Sequence, residues 1–512
     1  MAEQPADADV AQLVERNLAK VEVAGSNLVI RSNRQSRFPA GERLLSFLAT
    51  MRAPTLAAWV LTAAGLLLWA VNLAHERPLF IDEANVVRNL YDRSYAGLFL
   101  PLDHAQYAGP GYLVLTKFLA ELLGYHEWVL RLPAFAGGLL AVFGLWRASG
   151  SILSGYARLL PLALLFSNPT VLRYVTEVKP YGLDLGIAAC LLAFYLRPRP
   201  PSLITWTVLG ALLPWFSLPA VFVLAAIGLV RLYQDRRWLL VIGGWLLSFG
   251  LLYVVTLRPS VGSGYLVAYH QEYFFPTQLS IDSVARLGRI CWRYLRLSFG
   301  FTVVAILWGA GSQVIAALQF PRWNVLLLPL LIVVGASAFQ FYSLIDRLIL
   351  FVLPGVWLHA ARGADYVAGL AAKQGVPYRY AWGLLTVVAL GGTQNWRYVL
   401  PPLETSDARR LAAYATEPNA YADRSAEPVL DYYLRIDPQR TATAELRPAT
   451  TYPSDESYTV LFDVTTLTEN YARAEQVAHR AQRQSPHCEV AIEELYRARV
   501  VRVKCPARNS DP

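Results

Sequence analysis

The sequence predicts a mainly α-helical fold, a polytopic membrane helical bundle of about 11 transmembrane helices with external interfacial helices and a small C-terminal α/β domain. Of the 512 residues, 55% are hydrophobic and only 16% are charged, whereas a soluble globular domain carries about 25% charged residues. Apolar runs recur along the chain at lengths that suit roughly 30 Å of hydrocarbon. The basic residues between these runs alternate in the way that the positive-inside rule requires, which indicates repeated crossing of a membrane.

The net charge of +9 is explained by loops that fix membrane topology. No basic stretch of the sequence is interleaved with aromatic residues that could stack on bases, so we expect no nucleic acid among the partners. The 14 tryptophans suit the aromatic belts at the two membrane surfaces. We therefore expect membrane lipids as partners and a multi-pass location in the cell (inner or plasma) membrane.

A polar N-terminal tail, residues 1–50, precedes the first apolar run. It contains no short apolar region followed by a small-residue cleavage site, so we expect no cleaved signal peptide. A basic segment before a first span stays in the cytoplasm, and the tail is therefore expected there. Its basic residues are Arg16, Lys20, Arg31, Arg34, Arg37 and Arg43.

Residues 51–394 are expected to form the transmembrane domain. One further apolar segment, Tyr112–Leu123, is short and is interrupted by Lys117 and Glu121, so we interpret it as an interfacial or re-entrant helix. If that segment crossed the membrane, almost every basic loop would face out. The predicted spans are 53–74, 130–146, 157–172, 181–196, 203–216, 218–233, 238–257, 300–318, 323–342, 348–361 and 380–394.

Two stretches mix polar and apolar residues at helical spacing, which is typical of helices that lie along a membrane surface. The first runs from Glu83 to Tyr95, within the first external loop, 75–129. The second covers 281–296, where arginines alternate with apolar residues and are expected to sit at the lipid headgroups.

The last part of the chain, residues 395–512, is polar and is expected to form a small extracytoplasmic α/β domain. Strand-like runs at 458–464 and 499–504 flank a helix-like run at 469–484. Cys488 and Cys505 lie in this part and could form a disulfide if it is outside the cytoplasm.

Three charged features share the outer face under this topology. Asp82 and Glu83 follow the first span directly, Glu177 and Lys179 lie between two spans, and Arg347 precedes another. A carboxylate can take a proton from an acceptor hydroxyl or amine, and Lys and Arg side chains can hold a departing phosphate. The sequence therefore indicates a single polar site at the outer membrane surface.

The ordered set of motifs over residues 50–360 resembles the membrane glycosyltransferases of the GT-C superfamily. The nearest likeness is the bacterial branch (family 39) related to protein O-mannosyltransferases and to the aminoarabinose transferase of lipid A. The residues that carry the resemblance are Asp82-Glu83, Gln106-Tyr-Ala-Gly-Pro-Gly-Tyr112, Gly124-Tyr-His-Glu-Trp-Val-Leu-Arg-Leu-Pro133, Glu177-Val-Lys-Pro-Tyr181, and Arg347 with Pro354.

The resemblance implies a sugar donor carried on polyprenyl phosphate and transfer outside the cytoplasm with inversion at the anomeric carbon. It implies Asp82 as the general base, with Glu83 orienting Asp82 or binding the acceptor, and Glu177 as a second acidic position. Lys179 and Arg347 would bind the donor phosphate. Gln106, Tyr181 and Asp184 are candidates for lining the cavity. The acceptor is left open among a glycan, a lipid and a protein.

The sequence departs from the family pattern at two positions. Gly109-Pro110 stands where the family often has Pro-Pro, and Lys179 stands where it often has Arg. A lysine ammonium is a point charge rather than a bidentate fork, which weakens the assignment of Lys179 to the phosphate.

Each assignment has a structural alternative. Paired acids at the end of a span are often only solvated, and Glu177 and Lys179 could form an ion pair with each other. Asp184 could cap a helix instead of lining a cavity, and Arg347 could be a headgroup anchor.

A divalent metal is a further option rather than an expected cofactor. The weak candidate ligands are His270, Glu272 and His104, the last with its neighbour Asp103, and none has a closed metal-binding spacing. Two other functions compete with transfer. A transporter or lipid-carrier flippase should show inverted repeats and broken helices at the bilayer midplane, and a non-catalytic assembly protein should depend entirely on its tail.

Overall fold

The computed structural model describes residues 53–260, 268–278, 280–391, 395–398, 401–436, 447–448, 452–453, 456–463 and 467–506. The chain divides into two compact units after Val60. Within the described residues, the first unit holds only the start of the first helix. The features below belong to the second unit, which begins at Leu61.

The membrane part of the chain consists of α-helices. In chain order they are α1 Ala53–Ala74, α2 Ile81–Asp92, α3 Pro110–Leu123, α4 Glu127–Ile152, α5 Leu159–Ser167, α6 Pro169–Val175, α7 Tyr181–Tyr195, α8 Leu203–Phe216, α9 Ala220–Gln234, α10 Trp238–Leu252, α11 Ile281–Phe299, α12 Val303–Gln319, α13 Leu328–Ala338, α14 Leu353–Lys373 and α15 Tyr378–Gly391. A π-helical stretch, Tyr253–Leu257, extends α10, and a 3₁₀ stretch, Pro321–Leu327, precedes α13.

Four helical segments are long and apolar enough to cross a membrane: Ala53–Ala74, Glu127–Ile152, Trp238–Leu257 and Pro321–Ala338. Further apolar helices, α7 among them, are shorter than the roughly 20 residues of a full span. The predicted fold class, a helical membrane protein, is confirmed. The predicted number of crossings stays a prediction.

Helices α11 and α12 meet at a bend of 93°. The arginine-rich helix and the apolar helix therefore run in nearly perpendicular directions. Such a bend is expected where an interfacial helix is followed by a span.

The predicted span 157–172 is broken at Asn168. Pro169 lacks a backbone N–H and starts a new helix, α6. The side-chain oxygen of Asn168 accepts hydrogen bonds from the backbone N–H groups of Thr170 and Val171, at 2.9 and 3.1 Å, and so caps α6. The break turns the chain toward the loop that carries Glu177.

Helices α4 and α7 are in backbone contact. A Cβ atom on Gly137 would lie 2.3 Å from Cα of Leu183, and one on Gly186 would lie 2.2 Å from the carbonyl oxygen of Gly137. Only glycine permits this approach, which is common between membrane helices. The contact fixes the start of α4 beside the loop that leads into α7.

The C-terminal part contains the helices α16 Ala408–Tyr414, α17 Glu427–Ile436 and α18 Leu467–Gln484. Its strands are β1 Ala420–Ala422, β2 Arg447–Pro448, β3 Tyr458–Asp463, β4 Glu489–Leu495 and β5 Ala498–Lys504. They form one sheet in the order β2-β1-β3-β5-β4, in which β1 is parallel to both neighbours and β5 is antiparallel to both of its neighbours.

The sheet confirms the small α/β region that the sequence predicts. Its core includes Val460, Phe462 and Val501. Cys488 and Cys505 form a disulfide, as the sequence analysis suggested. The outer strand β4 and the two helices α16 and α17 were not predicted.

Candidate active site

Helix α2 begins directly after the first long helix and carries both acids in its first turn. The side chain of Glu83 accepts a hydrogen bond from the backbone N–H of Phe80, 3.0 Å away. Acidic side chains at this end of a helix satisfy free N–H groups and complement the helix dipole. The sequence therefore starts a helix here, and its start places Asp82, which is half-buried, next to Glu83.

Glu83 is fully buried and both of its oxygens are engaged. Arg131 donates to Oε1 from Nε at 3.0 Å and to Oε2 from Nη2 at 3.2 Å, and the N–H of Val178 donates to Oε1 at 2.8 Å. Burial raises the pKa of Glu83, but the charges of Arg131 and Arg77 and the hydrogen bonds lower it, with a net lowering. The Glu83 carboxylate is therefore fixed by Arg131 and by the N–H of Val178, directly beside Asp82 in the chain.

Glu177 is held in a second ion pair. Arg173 donates from Nε to its Oε2 at 2.8 Å, and Nη2 of Arg77 lies 3.8 Å from the same oxygen. Burial and the charge of Arg131 lower the pKa of Arg77 to about 10. The expected alternative partner of Glu177, Lys179, is replaced by these two arginines.

Lys179 is 5% exposed and points toward Asp82 and Gln106. Its Nζ donates to Oε1 of Gln106 at 2.5 Å. Burial lowers the pKa of Lys179, and the charges of Asp82 and Glu177 raise it less than burial lowers it. The structure thus places Gln106 and Asp82 close to Lys179.

Arg347 is close enough to both Lys179 and Tyr181 for its charge to act on them. Its Nη2 donates to the hydroxyl of Tyr269 at 3.4 Å, and it is also hydrogen-bonded to Tyr174. The charges of both Arg347 and Asp82 act on Tyr181, which is half-exposed at the start of α7. Tyr181 is therefore near both the candidate base and this candidate phosphate-binding arginine.

A cavity of about 360 Å³ opens beside Arg347. Arg293 stacks on the ring of Tyr273, 4.7 Å from its centroid, and Arg296 on that of Phe301 at 4.6 Å. Both guanidinium groups belong to α11, and the sequence analysis placed them only at lipid headgroups. The residues that line the cavity include Tyr174, Tyr273, Arg293, Arg296, Asp346 and Arg347. Three arginines and one aspartate give it a positive charge, which suits a phosphate.

A second pocket, of about 480 Å³, lies between α3 and α8 and is lined entirely by apolar surface. Val114 and Leu115 line it from α3, and Trp215 and Phe216 from α8. Helix α3 starts four residues after Gln106. Its lining suits a hydrocarbon chain.

The other sequence candidates lie apart from the Lys179–Gln106 pair, although His270 is close enough to Arg347 for its charge to act on the imidazole. Asp184 is buried within the first turn of α7, where its charge acts on Tyr112 and Tyr342. His270 is hydrogen-bonded to Ser343 at 3.0 Å.

The candidate metal ligands are also separate from one another. Glu272 and His104 are exposed, and Asp103 pairs with Arg93 at 2.8 Å. Within the described residues, the one group of His, Cys, Asp and Glu side chains close enough to share a metal ion is His487, Cys488 and Cys505. Its two cysteines form the disulfide.

Sequence reasoning missed the arginines that hold the acids in place. Arg131 stands inside the stretch Gly124–Pro133, Arg173 lies four residues before Glu177, and Arg77 lies five residues before Asp82. An arginine close to an acid in sequence is a weak signal. Arg131 and Glu83 are 48 positions apart, and only the fold shows that they are paired.

No model of a known protein family matches the chain, and neither does any curated protein. Two solved structures of ArnT from Cupriavidus metallidurans are similar to it, each with 15% sequence identity. The one bound to undecaprenyl phosphate covers 90% of this chain and 100% of its own, with a TM-score of 0.50. The apo structure covers 88% of this chain and 98% of its own, with a TM-score of 0.49.

At this identity, the likeness to the undecaprenyl phosphate complex concerns the fold. It extends over 90% of this chain and the whole of the other. The chain therefore has the fold of the ArnT structure, as its sequence resemblance to GT-C membrane glycosyltransferases predicts.

Proposed function

We propose that this protein is an integral-membrane glycosyltransferase that moves a sugar from a polyprenyl-phosphate donor to an acceptor. The observation that carries the proposal is the proximity of Asp82 and Arg347 to both Lys179 and Tyr181, beside a positively charged cavity. The ArnT structure with the same fold holds undecaprenyl phosphate. A lipid-linked phosphate is also the ligand that the charges and pockets of this chain suit.

The Asp82 carboxylate acts as the general base. As the acceptor oxygen or nitrogen attacks the anomeric carbon, its proton passes to Asp82. The bond between the anomeric carbon and the phosphate oxygen breaks, and polyprenyl phosphate leaves with the bonding electron pair. Attack from the face opposite the phosphate inverts the anomeric centre. Glu83 does not take part in proton transfer, because its carboxylate is buried and saturated, and it orients Asp82 instead.

The phosphate of the donor is held by Lys179 and Arg347. The negative charge on that phosphate grows as the sugar leaves, and cations in a site of low water content stabilise it. Gln106 fixes the Lys179 ammonium, which compensates for the missing guanidinium fork. Arg293 and Arg296 add charge on the far side of the cavity.

The hydrocarbon chain of the donor enters the apolar pocket between α3 and α8. The pocket is lined from α3, which begins four residues after Gln106, the hydrogen-bond partner of Lys179. The disulfide supports an extracytoplasmic position for the C-terminal part, since such bonds persist in oxidising compartments. With the N-terminus in the cytoplasm, the reaction then takes place on the outer face of the cell (inner or plasma) membrane.

The test uses purified full-length protein in lipid vesicles, a polyprenyl-phosphate sugar labelled in the sugar, and a crude glycolipid and glycan fraction as acceptor. We expect covalent transfer of label, and loss of it in Asp82→Asn with retained binding of polyprenyl phosphate. Asp103→Asn, in the same loop but paired with Arg93, is the matched control and keeps activity. Full transfer by Asp82→Asn contradicts the assignment.

The same vesicles examine the alternative, a lipid-carrier flippase. Transbilayer movement of the labelled lipid without any covalent product, unaffected by Asp82→Asn, would favour transport over transfer. A protein with neither activity would favour the assembly role.

A further inference from the structure

We infer that the C-terminal residues 401–436 are part of the active-site architecture, because they hold Asp82 in position through a path of contacts from Glu127 to Arg131 to Glu83. The inference rests on the proposed role of Asp82 as the general base. It assigns a positioning role to Arg409 and Tyr433, neither of which touches substrate.

The C-terminal residues form hydrogen bonds with the first turn of α4. The hydroxyl of Tyr433 donates to Oε1 of Glu127 at 2.9 Å. Arg409 donates to the same oxygen from Nη2 at 2.7 Å and from Nε at 3.1 Å. Glu127 is the first residue of α4 and is 3% exposed. Two donors from the C-terminal part therefore converge on one buried carboxylate oxygen.

One helical turn separates Glu127 from Arg131. Side chains four residues apart lie on the same face of a helix, and the charge of Glu127 acts on Arg131. Arg131 in turn donates to both oxygens of Glu83 and, from Nη1, to the carbonyl of Arg77 at 2.8 Å. The residue before Glu83 is Asp82. A small shift of the first turn of α4 therefore moves the carboxylate that carries the chemistry.

Helix α17 also holds α2 directly. Arg88 of α2 pairs with Glu427 at 3.1 Å and with Asp431 at 3.2 Å, and Asp92 pairs with Arg435 at 2.6 Å. These pairs are partly exposed and are screened by salt, so they contribute less than the buried contacts at Glu127. They hold the end of α2 opposite to Asp82.

The linker before α16 adds two contacts. The hydroxyl of Thr405 donates to the carbonyl of Pro78 at 2.7 Å, and the N–H of Leu403 donates to the side chain of Asn72 at 2.9 Å. Contacts from one C-terminal stretch thus reach the residues just before α2, the helix whose first turn carries Asp82. A C-terminal part with no role in the active site would not be expected to contact residues next to the reacting carboxylate.

The first experiment compares Tyr433→Phe, which removes one hydroxyl, and Arg409→Gln with the parent protein. Because a displaced general base costs rate rather than binding, we expect kcat to fall about tenfold while the donor KM changes less than about twofold. Arg410→Gln is the matched control. It lies in the same helix, but its side chain points to Glu493 of β4, 3.7 Å away, and we expect no change.

A second experiment examines the path itself. If Tyr433 acts through Glu83, Tyr433→Phe should cause no further loss of kcat in a Glu83→Gln protein. If the kcat losses of the two single variants multiply in the double variant, Tyr433 does not act through Glu83 and the proposed path is wrong. Unchanged kcat in both Tyr433→Phe and Arg409→Gln would also contradict it. Equal losses in Arg410→Gln would point to general destabilisation and would also overturn it.

A third measurement does not depend on transfer. In a protein with Cys190 and Cys291 replaced by serine, Asp82→Cys offers a thiol at the position of the base, and its rate of reaction with a maleimide reports its placement. Adding Tyr433→Phe or Arg409→Gln should change that rate, and adding Arg410→Gln should not. An altered rate together with an active Asp82→Asn protein would refute the proposed function but not the positioning. An unaltered rate together with an inactive Asp82→Asn protein would refute the positioning alone.

Discussion

Arg131 donates from Nε and Nη2 to the two carboxylate oxygens of Glu83, 3.0 and 3.2 Å away, and both side chains are fully buried. This ion pair ties α4 to α2 next to Asp82. It separates the roles of two adjacent acids, since Glu83 is locked into the interior and Asp82 remains half-exposed beside Lys179.

Breaking this pair from one side should destabilise the protein strongly. Arg131→Met leaves the Glu83 carboxylate buried without its partner, which costs about 3–5 kcal/mol of folding free energy. The measurement is the thermal midpoint in detergent, followed by aggregation of the purified protein. Arg93→Gln is the control, because its pair with Asp103 is partly exposed and should matter little. Equal midpoints for the two variants would contradict the prediction.

The ion pair of Glu83 with Arg131 should make the stability of the protein depend on pH. Burial raises the pKa of Glu83, but Arg131, Arg77 and the hydrogen bonds bring it below its ordinary range. A carboxylate whose pKa is lowered by folding contributes stability above its unfolded pKa, about 4.3, and loses it as the pH falls through the folded pKa. The thermal midpoint should therefore fall as the pH drops below about 4.3. In Glu83→Gln, which starts from a lower midpoint, that part of the fall should be missing.

The sequence predicts the helical membrane class because long apolar runs, and the basic residues that alternate between them, can be recognised from neighbouring residues alone. It also predicts strands β3 and β5 and helix α18 to within two residues, since their periodicity is regular. The contact between Gly137 and Gly186 could not be predicted, because a glycine in the sequence does not indicate which other helix packs against it. Candidate residues could be chosen from motifs, but the pairing of Glu83 and Arg131 depends on that helix contact.

The cavity arginines should control donor binding. Arg293→Gln and Arg296→Gln each remove one positive charge beside Arg347, so we expect the donor KM to rise several-fold with a smaller change in kcat. The effect should shrink at high salt because screening weakens charge interactions. The check is a steady-state titration of the polyprenyl-phosphate sugar at two ionic strengths.

Arg286→Gln is the control for that comparison. It lies in α11 too, but outside the set of residues that line the cavity. An equal rise of KM in Arg286→Gln would mean that the helix attracts the donor through its overall charge, and it would contradict a specific cavity.

The disulfide should stabilise the C-terminal part without entering the reaction. Cys488 and Cys505 are separated by 17 residues, and closing a loop of that length lowers the entropy of the unfolded chain by an amount worth about 3 kcal/mol. We expect Cys488→Ser/Cys505→Ser to be more easily cleaved by protease within 467–506, with kcat nearly unchanged. Loss of kcat in step with the cleavage would show instead that the disulfide supports the contacts to Glu127.

Lys179 should impose an alkaline limit on activity. Its ammonium is 5% exposed, and burial lowers its pKa more than the carboxylates of Asp82 and Glu177 raise it. The charged form exists below the folded pKa and is lost as the pH rises through it, so phosphate binding should fail at a lower pH than an ordinary lysine, at about 10.4, would allow. Lys179→Arg keeps its charge to much higher pH, so the alkaline fall in activity should move to higher pH. Lys179→Met should lose about 10²–10³ in kcat/KM at every pH. Lys117→Arg, at another buried lysine that binds the carbonyl of Leu90, should leave the alkaline fall in place. If the alkaline fall in activity occurs at the same pH in Lys179→Arg, another group is responsible for it.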